Sequence, residues 1–496
     1  MKPWTVACCF PALVTAWSAL LGGCTSREES RRDVGLSREA AYRQWEGRQS
    51  REDDLQPRIN GKLSVEDCIK LTLAHNKMLQ RTAQERNIAY GANLSARAAY
   101  LPNVGLSGQY LRKDEVSSLT IPTPTGTETI QFGNLDNYSA VLSVTQPIYA
   151  GGAISARVQA ARVLSLLADQ MIRAAVQDVV YAAETAYYEL LLSQHLVAVS
   201  TDAVRSAKVH LENVEQKRSG GVASNFDVLR AQVELSNFEA DLIRSKNAIN
   251  IARANLIKIM GISQDSDFAL SDEFVFTPAR VPMEEAVKTA FTNRPDLYRQ
   301  EYQIRQQREQ LQIARSRYLP NVSGFFNNTW AKPDPHSVSA SDKWGNAWQA
   351  GVQGMWPIFD GFQREGDVIQ QKARLRQAQI DLVDTEETAL YELTQALLSM
   401  ENAAEFVQSQ QLNLTRATEG LRLAEVGYQQ GVNTQVEVTD AQAALTTARV
   451  NYYQAIYSHV AAKLALQRAM GTIAGGVTAD GSQVQAVDGS GHDENG

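Results

Sequence analysis

Cysteine is scarce in this chain. Four occur in 496 residues, at Cys8, Cys9, Cys24 and Cys68, too few and too unevenly spaced for a disulfide framework. The six histidines (His75, His195, His210, His336, His459 and His492) are scattered without metal-ligand spacing. No metal site and no cofactor is therefore expected. No nucleophile–base pair and no phosphate-cradling glycine loop after a strand can be picked out, which argues against an enzyme. Lys and Arg number 48 against 55 Asp and Glu, a net charge of −7. That balance lacks the positive field that a nucleic-acid partner requires, so none is expected. Aromatics make up only 7% of the chain, lean for a globular core of this length. From Ala153 to Lys217 there is neither proline nor glycine, so nothing there interrupts a helix.

What the chain does contain, it contains twice. Tyr100-Leu101-Pro102-Asn103-Val104 returns as Tyr318-Leu319-Pro320-Asn321-Val322, an offset of 218 that also relates Lys70 to Lys288 and Leu79 to Leu297. Further on the offset is 210. Pro147-Ile148-Tyr149-Ala150-Gly151 matches Pro357-Ile358-Phe359-Asp360-Gly361, Gly221-Val222 matches Gly431-Val432, and Met260-Gly261 matches Met470-Gly471. A constant offset on each side of one shift marks a duplicated unit, with extra residues in one loop of the first copy. The boundaries read as 63–270 for the first repeat, 271–282 for a linker, 283–471 for the second repeat, and 472–496 for a Gly-, Asp- and Ser-rich tail expected to be disordered.

At the N-terminus, Lys2 precedes the mostly apolar run Trp4 to Leu21, which is short and ends in small residues. It reads as a signal peptide, residues 1–23, rather than a membrane span. The run closes in Leu21-Gly22-Gly23-Cys24, which resembles the lipobox of bacterial lipoproteins; Cys24 would then carry the lipid. An ordinary signal peptide containing a cysteine is the other reading. Residues 24–62 are charged and polar, an extended tether with a short helix at Ser37 to Trp45. Cys68 is left as a single free thiol, expected to be buried.

Each repeat opens with a helix capped at Ser64 in the first copy, with Asp67 at the capping-box position. Pro102 ends the helical stretch, and the period switches to two. Val104, Leu106, Gly108 and Tyr110 share one face, as do Tyr138, Ala140, Leu142 and Val144 across a polar loop from Arg112 to Asn137. Strands are expected at about 103–111, 138–146, 321–330 and 347–356, each about ten residues, the length that spans a bilayer when tilted. The opposite faces are small and polar, and Tyr110, Tyr138, Trp330, Trp344, Trp348 and Trp356 stand near strand ends as interfacial residues do. A soluble hairpin with one buried face is the plainer alternative. Next comes a very long helix of about 65 residues, reaching about 95 Å. Val176, Val180, Ala183, Tyr187, Leu190, Val197, Val204 and Leu211 fall near a heptad along it. A second such helix runs from about Gln363 to Gln429. Gly221 and Gly431 supply tight turns, and return helices start after the N-caps Ser224 and Thr434. The helices alone would equally suit a coiled-coil stalk.

Four membrane-length strands cannot close a barrel, and lipid does not tolerate open edges. Copies must complete the wall. Eight strands would leave a filled interior, whereas twelve leave a lumen. The paired Tyr-Leu-Pro-Asn-Val phrases, Gln146-Pro147-Ile148-Tyr149 with Trp356-Pro357-Ile358-Phe359, and the two glycine turn motifs together resemble the outer membrane factor (TolC) family. The likeness covers about residues 60 to 472, and the lipobox points to its lipoprotein branch with the OprM- and CusC-like proteins. The resemblance implies a mostly α protein with membrane β structure, built of two repeats, each a β-hairpin plus long coiled-coil helices. Its assembly would be a homotrimer, with a 12-stranded β-barrel continued by a periplasmic α-helical barrel. It places the protein in the outer membrane, anchored at Cys24 in the lipid. The implied partners are a periplasmic adaptor and an inner-membrane transporter, and the implied role is the passive exit duct of a tripartite efflux system. A type I protein-secretion duct shares this pattern, and a structural coiled-coil envelope lipoprotein is the alternative of another class.

The same resemblance assigns site residues. Gly221, Val222, Ser224, Gly431, Val432 and Thr434 would form the periplasmic tips where the adaptor docks. Asp227 and Tyr428 match gate positions of the family, while Asn433 stands where the family has an arginine, replacing an ion pair with hydrogen bonds. Glu437 and Asp440 match a constricting acidic ring, which in a trimer favours cations; a solvated helix face is the other reading of the same two acids.

Overall fold

The computed structural model describes residues 58–124, 126–336 and 342–473, together with the single residue Ala40. The expected signal peptide, Cys24, the helix at Ser37–Trp45 apart from Ala40, and nearly all of the tether and tail lie outside the described residues. In chain order the elements are β1 (Asn60–Leu63), α1 (Val65–His75), α2 (Lys77–Ala98), β2 (Asn103–Arg112), β3 (Ser117–Thr123), β4 (Gly126–Phe132), β5 (Asp136–Ala150), α3 (Ala153–Ser219) and α4 (Asn225–Met260). They continue as β6 (Asp267–Leu270), α5 (Met283–Asn293), α6 (Pro295–Ser316), β7 (Asn321–Lys332), β8 (Gly345–Met355), α7 (Gln363–Gln429) and α8 (Gln435–Ala469). The duplication is plain in these lengths: α3 and α7 each have 67 residues, about 100 Å of helix.

The chain divides into two units. In the smaller, whose described residues are Ala40, 58–63 and 261–271, β1 and β6 pair in parallel, Asn60 beside Asp267 and Leu63 beside Leu270. The boundary expected for the tether, residue 62, therefore falls inside a strand. The larger unit holds everything else described. Its main sheet is antiparallel in the order β2-β5-β7-β8, so the two hairpins lie side by side with β2 and β8 at the edges.

Both hairpins keep one register. Val104 pairs with Val144 in the first, and their repeat equivalents Val322 and Gly354 pair in the second. A further shared bond anchors each hairpin to the helix before it, through different side chains. Gln146 Nε2 donates to the Tyr100 carbonyl at 3.0 Å, and Trp356 Nε1 donates to the Tyr318 carbonyl at 3.0 Å. One face carries Val104, Leu106, Tyr110, Leu142, Phe326, Trp330, Trp348 and Val352 by alternation through the register. These side chains have no core beneath them: Leu106 is 76% and Trp348 70% exposed. The other face carries Ser107, Ser143, Thr145, Asn327, Thr329, Gln349 and Gln353.

Several boundaries differ from expectation. The stretch Arg112 to Asn137 is not simply a loop, because β3 and β4 form a second hairpin within it, with Thr120 and Thr129 hydroxyls 3.1 Å apart across the pair. Its threonines, read as loop residues, are β-branched and suit a strand. β5 runs on past 146 to Ala150, with its register shifting between Pro147 and Tyr149. β8 begins at Gly345 and stops before Trp356. Ile473, assigned to the tail, is buried in a core cluster with Leu79, Ile172, Val176, Val180 and Leu464. The linker is pinned rather than free: Asp272 accepts hydrogen bonds from the Val65 N–H and the Tyr187 hydroxyl, and the rings of Phe274, His195 and Tyr453 all stack against one another.

The helical core is unevenly distributed. Buried residues number 24 in α3 and seven in α7, helices of equal length. α3 meets α1, α2, α4, α6 and α8, while α7 leaves Ile380, Val383, Tyr391, Leu398, Leu412 and Leu423 exposed. Small residues let the helices approach closely, as where Ala286, Ala290, Ala396 and Ala469 meet around Leu393 and Leu466. Arg294 is buried beside this cluster and joins three elements. Its guanidinium donates to Asp296 at 2.7 Å, to Glu392 on α7 at 2.8 Å and to the Ala469 carbonyl that ends α8 at 3.2 Å. These partners spare Arg294 the larger cost of a buried charge left unpaired.

A second buried polar group is not so well served. Glu184 Oε2 on α3 has no hydrogen-bond partner. Burial pushes its carboxyl up to about 7, with Lys463 pulling the other way. Nearby, burial pushes the Cys68 thiol up to about 12. A carboxyl raised on folding loses stability as pH climbs from the ordinary carboxylate range through about 7, because the unfolded chain sheds its proton first. Glu184→Gln should therefore raise the melting temperature at pH 8 and have little effect at pH 5; equal shifts at both pH values would show that Glu184 is not charged at this site.

Candidate functional site

The two ends where the long helices reverse are built alike. At the end of α3 the Val222 N–H bonds back to the Lys217 carbonyl at 2.9 Å and the Gly221 N–H to the Arg218 carbonyl at 2.9 Å. At the end of α7 the Val432 N–H reaches the Gly427 carbonyl at 2.8 Å and the Gly431 N–H the Tyr428 carbonyl at 3.3 Å. This is a Schellman stop, which needs a left-handed residue at its corner. Gly221 at φ 76° and Gly431 at φ 77° supply it, where a side chain would cost about 1–2 kcal/mol. The following helices start on reciprocal caps. Asp227 N–H donates to Ser224 Oγ while the Ser224 N–H donates to Asp227 Oδ2 at 2.9 Å. Thr434 and Glu437 repeat that capping box, the Thr434 N–H donating to Glu437 Oε2 at 2.6 Å. Between stop and cap, Val222 and Val432 stand 81% and 80% exposed.

The tips also touch one another. Lys217 Nζ lies 3.4 Å from the centre of the Tyr428 ring and donates to the Tyr428 carbonyl at 3.2 Å. Gln435 Nε2 donates to the Asp227 carbonyl at 2.8 Å. His210 sets its ring 5.9 Å from that of Tyr428. A cavity of about 720 Å³ opens among α3, α4, α7 and α8, with His210, Lys217, Glu234, Glu425, Tyr428 and Gln442 on its walls. Burial, then the Asp227 charge, pushes the Tyr428 phenol up. Burial, then Lys217, pushes the His210 imidazole down, and His210 Nε2 is buried without a hydrogen-bond partner.

Of the residues singled out from the sequence, Cys24 lies outside the described residues. Gly221, Val222, Ser224, Gly431, Val432 and Thr434 all fall in the two turns. Asp227 and Tyr428 come near one another, Asp227 being held well below the ordinary carboxylate range by hydrogen bonds from Ser224. Asn433 folds over Gly427, where an added Cβ would lie 2.4 Å from its Nδ2. Glu437 turns back onto Thr434, and Asp440 is exposed one turn further along α8. Lys217, His210 and Gln435 were not singled out. The signal for Lys217 was its repeat partner, Gly427: a charged residue in one copy faces a bare backbone in the other. Ser224→Ala and Thr434→Ala should each cost about 1 kcal/mol of local stability, read as faster hydrogen exchange in the first turns of α4 and α8. Unchanged exchange in both variants would mean the caps do not hold these turns.

The model of the outer membrane efflux protein family matches residues 68–262 and 286–472, one stretch in each repeat. The chain is 24% identical over 332 residues to Protein CyaE of Bordetella pertussis, spanning 64% of this chain and 66% of that protein. It is 27% identical over 180 residues to the outer membrane efflux protein BepC of Brucella suis, spanning 35% of this chain and 36% of that protein. These stretches amount to just under two thirds and about one third of the relatives' lengths. The solved CmeC outer membrane channel of Campylobacter jejuni shares the fold, with a TM-score of 0.71 at 16% identity over 86% of this chain and 89% of that one. With both halves of the duplication inside the family pattern, the chain belongs to the outer membrane efflux protein family.

Proposed function

We propose that three copies of this chain close a 12-stranded barrel in the outer membrane and continue it as a helical tunnel in the periplasm. The assembly is the passive exit duct of a tripartite efflux system. An inner-membrane transporter expels small molecules or ions into it, and a periplasmic adaptor docks on the tips at Val222 and Val432. Cys24 carries the lipid that adds an anchor in the outer membrane. The entrance lies at the tips, with Asp227, Tyr428, Asn433, Glu437 and Asp440 as its gate and constriction residues.

One observation carries this reading: a four-stranded sheet with two free edges, apolar on one face and, apart from residues such as Val141 and Phe325, small or polar on the other. Such a face suits lipid and its reverse suits a wet lumen. Each copy brings four strands, and twelve enclose a channel where eight would be filled by side chains. The uncovered apolar residues of α7 ask for a neighbour in the same way.

The internal symmetry sets the contact between copies. β5 pairs with β7, Val144 beside Phe326. The repeat equivalents of those residues are Gly354 on β8 and Gly108 on β2, so the β8 edge of one copy should meet the β2 edge of the next with Gly354 beside Gly108. A chain carrying both Gly108→Cys and Gly354→Cys should form disulfide-linked dimers and trimers on oxidation, and neither single variant should form trimers. A pair shifted by two residues, Leu106→Cys with Gly354→Cys, should crosslink poorly. If the shifted pair reacts best, or if no pair links copies, the barrel is not closed in this way.

A further inference from the structure

We propose that Lys217 is the residue that fastens the entrance shut in this chain, by resting its ammonium on the Tyr428 ring and bonding to the Tyr428 carbonyl. The proposal rests on the reading of the tips as the entrance of a duct.

The two helical hairpins of one copy are parted by the cavity of about 720 Å³ near their tips. At the tip end they are joined across that gap by two ties, Lys217 to Tyr428 and Gln435 to the Asp227 carbonyl. To widen a passage at the tips, the hairpins of a copy must move relative to each other, and the Lys217 tie then breaks. Its parts are well placed to be the stronger of the two. A cation 3.4 Å above a ring is at close range, and the attraction grows as water is excluded. The His210 ring packs against the same tyrosine. The bond to the carbonyl has a charged donor, stronger than the neutral amide bond made by Gln435.

The tie is also one-sided. The repeat equivalent of Lys217 is Gly427, and that of Tyr428 is Arg218, which donates to Asn225 within its own hairpin. No second Lys–Tyr tie can therefore form by repeat symmetry. Gly427 has its own use: only without a Cβ does it admit Asn433, whose N–H bonds to the Gly427 carbonyl at 3.1 Å and steadies the backbone next to Tyr428. Each copy thus contributes a single charged fastening that runs from the first repeat to the second.

The test is the open fraction of the purified trimer in planar bilayers at fixed salt, with helix content and trimer mass checked for every variant. Lys217→Ala removes the tie from all three copies and should raise the open-to-closed ratio by about tenfold for each copy that must move. Lys217→Arg, which can lay a guanidinium on the same ring, should restore closure. Tyr428→Leu, which removes the ring but keeps the carbonyl, should open the channel part of the way that Lys217→Ala does, Tyr428→Phe should open it much less, and the Lys217→Ala, Tyr428→Leu double variant should open it no further than Lys217→Ala alone. A conducting trimer in which Lys217→Ala behaves as the unaltered protein overturns the fastening and leaves the duct intact. Equal opening by Tyr428→Phe and Tyr428→Leu also overturns it, because the hydroxyl would then be the gate. Trimers that never conduct, in any variant, overturn the duct and the fastening together.

Discussion

The outer edges of β2 and β8 set the terms for the rest of the molecule. Each is a row of backbone N–H and C=O groups that the sheet of one copy leaves unpaired. In water such an edge is a hazard to be managed. In hydrocarbon each unsatisfied group costs several kcal/mol, and an open edge is not a stable state. The sheet has apolar side chains on one face and no core beneath them, so its place is in lipid, and lipid forbids its edges. The remedy available to the chain is a neighbour that presents the complementary strand. The bare side of α7, against the crowded α3, points to the same remedy for the helices.

Duplication explains how one chain provides both halves of such a wall. The repeats preserve bonds while changing the residues that make them. Gln146 and Trp356 donate to equivalent carbonyls, and Ser224 with Asp227 does the capping that Thr434 does with Glu437. Elsewhere the copies have drifted apart. Gly152 precedes α3 at φ 85°, while its equivalent Phe362 precedes α7 at φ 69°, a left-handed conformation costing about 1–2 kcal/mol for a side-chain-bearing residue. Phe362 is exposed and meets Phe359 edge to face. At the tips, the exchange of lysine for glycine turns two equivalent turns into a donor and an acceptor. Symmetry builds the two tips alike, and its breakage gives them a distinct contact.

Much of this could be read from the residues because the physics was local. The glycines at both tips, the serine and threonine caps, the proline that ends the first helical stretch and the period of two in the strands each act within a few neighbours. The uninterrupted run from Ala153 made a long helix the natural choice. What stayed hidden depended on contacts distant in sequence. β1 has little pattern of its own and exists by pairing with β6, some two hundred residues away. Ile473 looked like the start of a polar tail until the cluster around Leu79 and Leu464 claimed it. The hairpin β3–β4 was masked by threonines and a proline that suit loops as well as strands. At the tips the acids were visible, but not that Asp227 and Glu437 occupy one repeat position and serve as caps. The contact from Lys217 to Tyr428 joins residues 211 positions apart, and no spacing rule reaches that far.

The dependence on neighbouring copies is most directly examined by weighing the intact protein. Native mass spectrometry of the purified chain in detergent, alongside its circular dichroism, should give a mass of three chains with a β signal that disappears when the assembly is dissociated. A monomer that retains its sheet signal in detergent would contradict it, since a four-stranded sheet would then be tolerating both of its open edges alone.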